Sequence, residues 1–264
     1  NGAGKTTAFR MIIGLLGPTR GEITSDGKKI DYSVTDTIGF LTEERSLLTK
    51  LTVREQCQYY GVLKGMKEKE IDERLDELLN KFGISSYKDK KIKELSKGNQ
   101  QKIQFITAIL NKPRLLICDE PFSGLDPFNV ELFKNELKEM AENGSMIIFS
   151  SHRMEHVELF CKKIVVLKAG KAVLSGNLKD IKKQYRKKNI QVKGDIDLEK
   201  IKNIDGVLDI IVKADEYEIK IADESVEEAV FKDVSKAKNV TKFVVEEPSL
   251  NEIFIDKVGE TYEN

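Results

Sequence analysis

The chain reads as an α/β protein with a parallel sheet, followed by a small α+β module, and three observations predict this. Short apolar runs alternate with amphipathic helical stretches up to about residue 174, the signature of strands joined by crossover helices. A glycine-rich loop ending in Lys5-Thr6 opens the first helix, the strand-loop-helix context of a phosphate site less its strand. Near residue 187 the pattern restarts in the order strand, helix, strand, strand, helix, strand, which fits a ferredoxin-like module.

Each element has a local justification. Thr6 to Leu16 is an apolar helical stretch ahead of Gly17-Pro18. Gly21-Glu22-Ile23 through Ile38-Gly39-Phe40-Leu41 reads as short strands around an Asp26-Gly27 turn. From Val53 the period becomes helical, with Ile71, Leu75, Leu78, Leu79 and Phe82 on one face and Gly83 as a stop. Ser96 suits the N-cap of the next helix, which turns Ile103, Ile106, Ile109 and Leu110 inward and ends before Pro113. Strand Leu115–Cys118, helix Phe128–Glu142, strand Met146–Phe149 and helix Met154–Phe160 continue the alternation. Lys163 to Leu174 suggests a hairpin turning at Ala169-Gly170, and the first domain is expected to end near the basic patch Tyr185–Lys188. The module beyond it is predicted from strands at 190–193, 207–212, 217–221 and 242–245 and helices at 198–202 and 226–237. A last helix follows Pro248, with Leu250, Ile253, Phe254 and Val258 on one face.

Composition narrows the function. At 264 residues, 40% apolar and 33% charged, the chain has the make-up of a soluble globular protein of one large domain and one small. Lys plus Arg (44) balances Asp plus Glu (44), so no global field draws it to nucleic acid, and no nucleic-acid partner is expected. Cys57, Cys118 and Cys161 follow no metal or disulfide spacing, which suits a reducing cytosol. No stretch reaches the roughly 18 consecutive apolar residues of a membrane span. Asn1-Gly2-Ala3-Gly4-Lys5-Thr6-Thr7 is the second part of G-x-x-x-x-G-K-[ST], so the chain is expected to be a fragment lacking the leading glycine and its strand.

The chemistry concentrates in two places. Gly2 and Gly4 let backbone N–H groups close around phosphate oxygens, Lys5 reaches toward the β and γ phosphates, and Thr6 offers a hydroxyl to Mg²⁺. Asp119 ends an apolar strand, where a carboxylate has no packing role and can serve a metal. Glu120 beside it is placed to orient and deprotonate an attacking water, work that contributes about 10² to 10⁴-fold.

Leu95-Ser96-Lys97-Gly98-Asn99-Gln100-Gln101, upstream of Leu115-Leu116-Ile117-Cys118-Asp119-Glu120-Pro121, resembles the signature loop and acidic strand of ABC-type ATPases. The resemblance covers Asn1 to about Leu174 and includes Ser123–Asp126 and His152, which is similar to the family's switch histidine. It implies a P-loop ABC ATPase domain at 1–186, with a RecA-like core and a helical subdomain at about 43–112, and an accessory module at 187–264. It implies Mg-ATP bound between two copies of the chain. Asn1 to Thr7 and Glu43 would then serve one nucleotide, Ser96, Lys97, Gly98 and Asn99 the partner's, and Ser123–Asp126 would form the loop that communicates across the dimer, with Asp126 among the nucleotide-binding residues. Thr6, Asp119 and Glu43 would hold Mg²⁺, and Glu120 and His152 would be catalytic. It further implies transmembrane permease subunits docking near 43–82 and a cytoplasmic position on the inner face of the membrane.

Two departures stand out. Glu43 aligns where the family has Gln, adding charge that Arg45 is placed to offset, with a plain exposed acidic loop as the alternative. Lys97 and Asn99 replace the usual Gly and Gln, and Lys97 reads either as a cation reaching the partner's γ-phosphate or as a solvated side chain. Glu247–Phe254 resembles the end of ABC-2 type exporters of drugs or sodium, though an ordinary amphipathic helix explains the same residues. The module is open to dimer contact, regulation or plain packing, and His156 is read as a surface residue. A soluble ABC ATPase acting on ribosomes or DNA, and a non-hydrolysing regulatory subunit, are the rival readings.

Overall fold

The computed structural model describes residues 2–25, 27–30, 32–44 and 46–259, with the backbone alone at 32–34, 258 and 259. Expectations placed on Asn1, Asp26, Arg45 and the Val258 side chain lie outside the described residues. Backbone contacts divide the chain into two units, Gly2–His152 and the part from Arg153 onward.

In the first unit α1 spans Lys5–Ile12, ending before the predicted Leu16. Gly14 takes φ +78°, its N–H donates to Met11 O at 3.1 Å, and Leu15 N–H donates to Arg10 O at 2.8 Å. These two bonds form a Schellman stop, so the left-handed glycine ends the helix ahead of Gly17-Pro18. Strands β1 (Thr24–Ser25) and β2 (Lys28–Lys29) form a small antiparallel pair, and a 3₁₀ turn over Tyr32–Thr37 leads into β3 (Ile38–Leu41).

Helices α2 (Val53–Leu63), α3 (Glu68–Lys81) and α4 (Lys97–Ile109) follow. A capping box of Thr52 and Glu55 starts α2. Ile71, Leu75, Leu78, Leu79 and Phe82 are all buried, as their spacing predicted, and so are Ile103, Ile106, Ile109 and Leu110 of α4. Then come β4 (Leu115–Asp119), α5 (Pro127–Glu142) and β5 (Met146–Ser150). Helices α4 and α5 and the end of α3 meet where Phe105 stacks on Phe133 at 4.3 Å, with Phe82 edge-on to both. Glu136 of α5, 2% exposed, is compensated by Lys81 at 2.5 Å and Arg74 at 3.7 Å.

Strands β3, β4 and β5 form a parallel sheet with the buried β4 in the centre. Its register places Leu41 beside Cys118 and Asp119 beside Ser150, so the carboxyl ends of the strands gather the polar residues on one edge of the sheet.

The second unit begins with α6 (Met154–Phe160), then the hairpin of β6 (Lys163–Lys168) and β7 (Lys171–Asn177) and helix α7 (Leu178–Gln184). The hairpin turns at Ala169-Gly170, both with positive φ (46° and 77°), the mirror-type turn that matches strand twist. Next are β8 (Lys188–Asp195), α8 (Leu198–Lys202), β9 (Val207–Val212), β10 (Tyr217–Ile221), α9 (Glu227–Val234) and β11 (Lys238–Glu246). The sheet runs β11-β8-β10-β9, antiparallel throughout, which is the ferredoxin-like order. Ile190, Val192, Ile219 and Ile221 pack there with Ile201, Val226, Val230 and Val234.

Helix α10 (Leu250–Gly259) begins with a capping box. Glu252 N–H donates to the Ser249 hydroxyl at 3.2 Å, and Ser249 N–H donates to the Glu252 carboxylate at 2.9 Å. The reading of His156 as a surface residue is corrected: it is 7% exposed. The seven-residue α6 packs against α10 and the cluster that includes Met154, Val157 and Leu250, with Glu155 and Leu159 on its exposed side, and His156 is covered rather than turned to solvent. Among the described residues no helix is long and apolar enough to cross a membrane.

Candidate functional site

The loop before α1 is wound from Gly2 (φ +77°) and Gly4 (φ +96°). Positive φ at both turns the backbone N–H groups of the loop inward, the arrangement of an anion nest. Gly4 is the N-cap and carries no side chain to cap the helix, so the first-turn N–H groups and the helix dipole face whatever anion the loop holds. Ala3 lies in the same loop, and Lys5, Thr6 and Thr7 form the first turn of the helix.

Thr6 Oγ1 donates to Asp119 Oδ2 at 2.7 Å, bringing together two residues 113 apart that the sequence assigned to one metal. The other carboxylate oxygen of Asp119 accepts from Ser150 Oγ at 2.5 Å, and that hydroxyl also accepts the Glu120 N–H at 3.0 Å. Ser150 thus ties the Asp119 carboxylate to the Glu120 backbone. Glu120 is 9% exposed and has φ +52°, an unusual backbone for glutamate that redirects its side chain just past the strand end. Its carboxylate lies 2.9 Å from His152 Nδ1, a spacing that a protonated Nδ1 satisfies by donating, and 3.8 Å from Lys5 Nζ.

Glu43, Lys97, Asp119 and Glu120 line one cleft of about 300 Å³ together with Gln101 and Gln104. Ser96 caps α4 as expected, its hydroxyl accepting the Asn99 N–H at 3.3 Å, and Gly98 stands in the first turn. Asp126 lies outside the lining of that cleft. It caps α5, accepting the Asn129 backbone N–H at 2.9 Å and the Asn129 amide at 2.6 Å, and the backbone bond foremost holds its carboxyl below the usual range.

Mg²⁺ prefers oxygen ligands and completes its shell with phosphate and water. The adjoining Thr6 hydroxyl and Asp119 carboxylate suit it, with Glu43 on the same cleft as Asp119. Among the described residues no group of three or more His, Cys, Asp or Glu is placed to hold a metal ion.

Sequence reasoning missed three residues. Ser150 ends an apolar run beside Asp119 in the register, and a polar residue closing a core strand was the available signal. Gln101 Nε2 donates to Ser123 O at 2.9 Å and Pro121 O at 3.3 Å. Gln104 bonds to the residues flanking Glu43, and its signal was a glutamine between Ile103 and Phe105 in an inward-facing run.

A phosphate nest beside two acids at the end of a central parallel strand defines a P-loop ATPase. Residues 1–123 match the family described as ABC transporter, and residues 176–258 match the C-terminal domain of ATP-binding proteins like DrrA1-3. An uncharacterised ABC transporter ATP-binding protein of Alkalihalophilus pseudofirmus is 50% identical over 262 residues, covering 99% of this chain and 98% of that one. The linearmycin resistance ATP-binding protein LnrL of Bacillus subtilis is 30% identical over 273 residues, 99% of this chain and 88% of that one. A solved structure of the ATP-binding subunit of an ABC transporter matches with a TM-score of 0.66 and 33% identity over 70% of this chain and 78% of that chain. The chain belongs to the ATP-binding subunits of ABC transporters, which hydrolyse ATP and work with transmembrane permease components.

Proposed function

We propose that this chain hydrolyses Mg-ATP at the interface of two copies and powers export through separate transmembrane subunits. The observation that carries the chemistry is the grouping of Lys5 and His152 around the Glu120 carboxylate, beside the Thr6–Asp119 pair. Glu120 takes a proton from water as its oxygen attacks the γ-phosphorus, the bond to the β-γ bridging oxygen breaks, and ADP and phosphate leave. Gly2 to Thr7, with Asn1 preceding them, cradle the triphosphate, Lys5 offsets its charge, and His152 keeps Glu120 aimed and contacts the γ-phosphate. Bound Mg²⁺ would supply charge neutralisation across the phosphate oxygens, held by Thr6 and Asp119 with Glu43 near them.

Use of Ser96, Lys97, Gly98 and Asn99 by a second copy is supported by Gly98 itself. A Cβ there would meet nothing within 4 Å and its φ is not left-handed, so this chain's own fold does not require glycine. Close approach of another copy's nucleotide to the α4 N-terminus accounts for it. Asp126, at the head of α5, would contribute to that interface. The region near 43–82 is the proposed permease dock, which would place the chain on the cytoplasmic face of the membrane. Export is favoured by the exporter-like residues Glu247–Phe254 together with the likeness to a linearmycin resistance protein.

Glu120→Gln tests the assignment of the base: turnover should fall at least about 100-fold, with ATP still bound in a persistent dimer visible by size exclusion. Rapid hydrolysis by that variant would remove Glu120 from the role.

A further inference from the structure

The inward face of α4 carries a polar side chain that phosphate chemistry does not use. Gln104 is 6% exposed, and its Nε2 donates to Thr42 O at 3.0 Å, Thr42 Oγ1 at 3.1 Å and Glu44 O at 3.1 Å. The two N–H bonds of one amide thus serve oxygens on both sides of Glu43. Thr42 Oγ1 closes the arrangement by donating to Glu44 O at 2.5 Å. One turn earlier on the same helix, Gln101 holds Pro121 O and Ser123 O in the loop after Glu120. Helix α4 therefore grips the Glu43 loop with one glutamine and the Glu120 loop with the other.

The far end of the Glu43 loop is gripped as well. Gln56, fully buried on α2, accepts the Leu48 N–H at 2.8 Å and donates to Thr107 Oγ1 at 3.0 Å. Gln104 lines the acidic cleft on one side and, on the other, a second cavity of about 180 Å³ bordered by Gln56, Tyr60 and Lys64. A buried amide is costly to leave without partners, so its three acceptors define where the loop can sit.

We propose that Gln104 is a positioning residue that holds the Glu43 loop at the acidic cleft and so sets where the Glu43 carboxylate acts. This rests on the reading of Glu43 as a group that serves the nucleotide. The test uses the full chain and two variants. Gln104→Met keeps length and volume but removes both donors, and Gln104→Glu keeps the shape while facing three oxygens with acceptors alone. Turnover should fall about tenfold in the Met variant and further in the Glu variant, while the ATP Kd stays within about twofold. Hydrogen exchange of backbone amides in 42–46 should speed about tenfold in Gln104→Met. In a Glu43→Ala background, adding Gln104→Met should lower turnover no further, because both changes act on the same carboxylate.

Wild-type turnover and exchange in Gln104→Met, or losses that multiply in the double variant, would overturn the proposal. Wild-type turnover by Glu43→Ala would instead remove the reading it rests on, a failure told apart because loop exchange in Gln104→Met would still rise.

Discussion

Ser150 shows how a single hydroxyl can organise the acidic end of a strand. It donates to Asp119 Oδ1 and accepts from Glu120 N–H, so one residue on β5 holds the Asp119 carboxylate and the Glu120 backbone together at the end of β4. Ser150→Ala leaves a buried carboxylate oxygen short of a donor and a backbone N–H without that acceptor, a loss of about 2 kcal/mol in preorganisation. We predict a fall in turnover of about 10- to 100-fold and a higher Mg²⁺ requirement, measured by ATPase assay across a magnesium titration. At this scale the sequence is legible where chemistry dictates a local pattern. Lys5 and Thr6 sit in a phosphate motif, and Asp119 and Glu120 are acids at the end of an apolar run, where packing offers no reason for them. Ser150 and Gln104 are not legible in the same way, since each acts on a partner brought close by strand register or helix docking. Local sequence carries the polar residue but not the address of its partner.

At the scale of elements, periodicity placed the helices well and their ends less well. The buried faces of α3 and α4 follow from apolar spacing, but α1 stops at Gly14 because a left-handed residue there completes a Schellman pair, a geometry that Gly17-Pro18 obscured in the sequence. Helix α10 gives a testable case. Its Glu252 accepts from Asn189 on β8 at 2.9 Å, pairs with Lys220 on β10 at 2.8 Å, and closes the capping box with Ser249. Burial raises the carboxyl, but the bonds from Lys220, Ser249 and Asn189 together outweigh it and bring the pKa from 4.5 down to about 2. A carboxyl depressed in the folded state stabilises it above the unfolded pKa, so this contribution is complete above about pH 4.5 and fades as pH falls toward 2. Glu252→Gln keeps the capping pattern and removes the charge. We predict a loss of about 1 kcal/mol at pH 7, shrinking between pH 4.5 and 2 until the variant and the parent unfold alike, followed by circular dichroism. A constant difference across that window would assign the effect to packing instead.

At the scale of the whole molecule, the placement of the signature loop makes a claim about two chains rather than one. A twofold pair with each nucleotide between one chain's Lys5–Glu120 edge and the other's α4 N-terminus has two composite sites. Glu120→Gln disables the edge. Gly98→Glu would disable the opposing face in the proposed pair: the side chain has open space in its own chain and suits a helix N-terminus, so the fold tolerates it, but its carboxylate would face the partner's phosphates. Each variant alone should be inactive as a homodimer. In an equal mixture, half of the dimers are mixed, and in each of those one site combines the intact edge of the Gly98→Glu chain with the intact loop of the Glu120→Gln chain. The other site carries both defects. Mixing the two inactive proteins before adding ATP should therefore restore about a quarter of wild-type turnover when the sites act independently. A loop that served its own chain would leave every site in the mixture with one defect, and no activity would return.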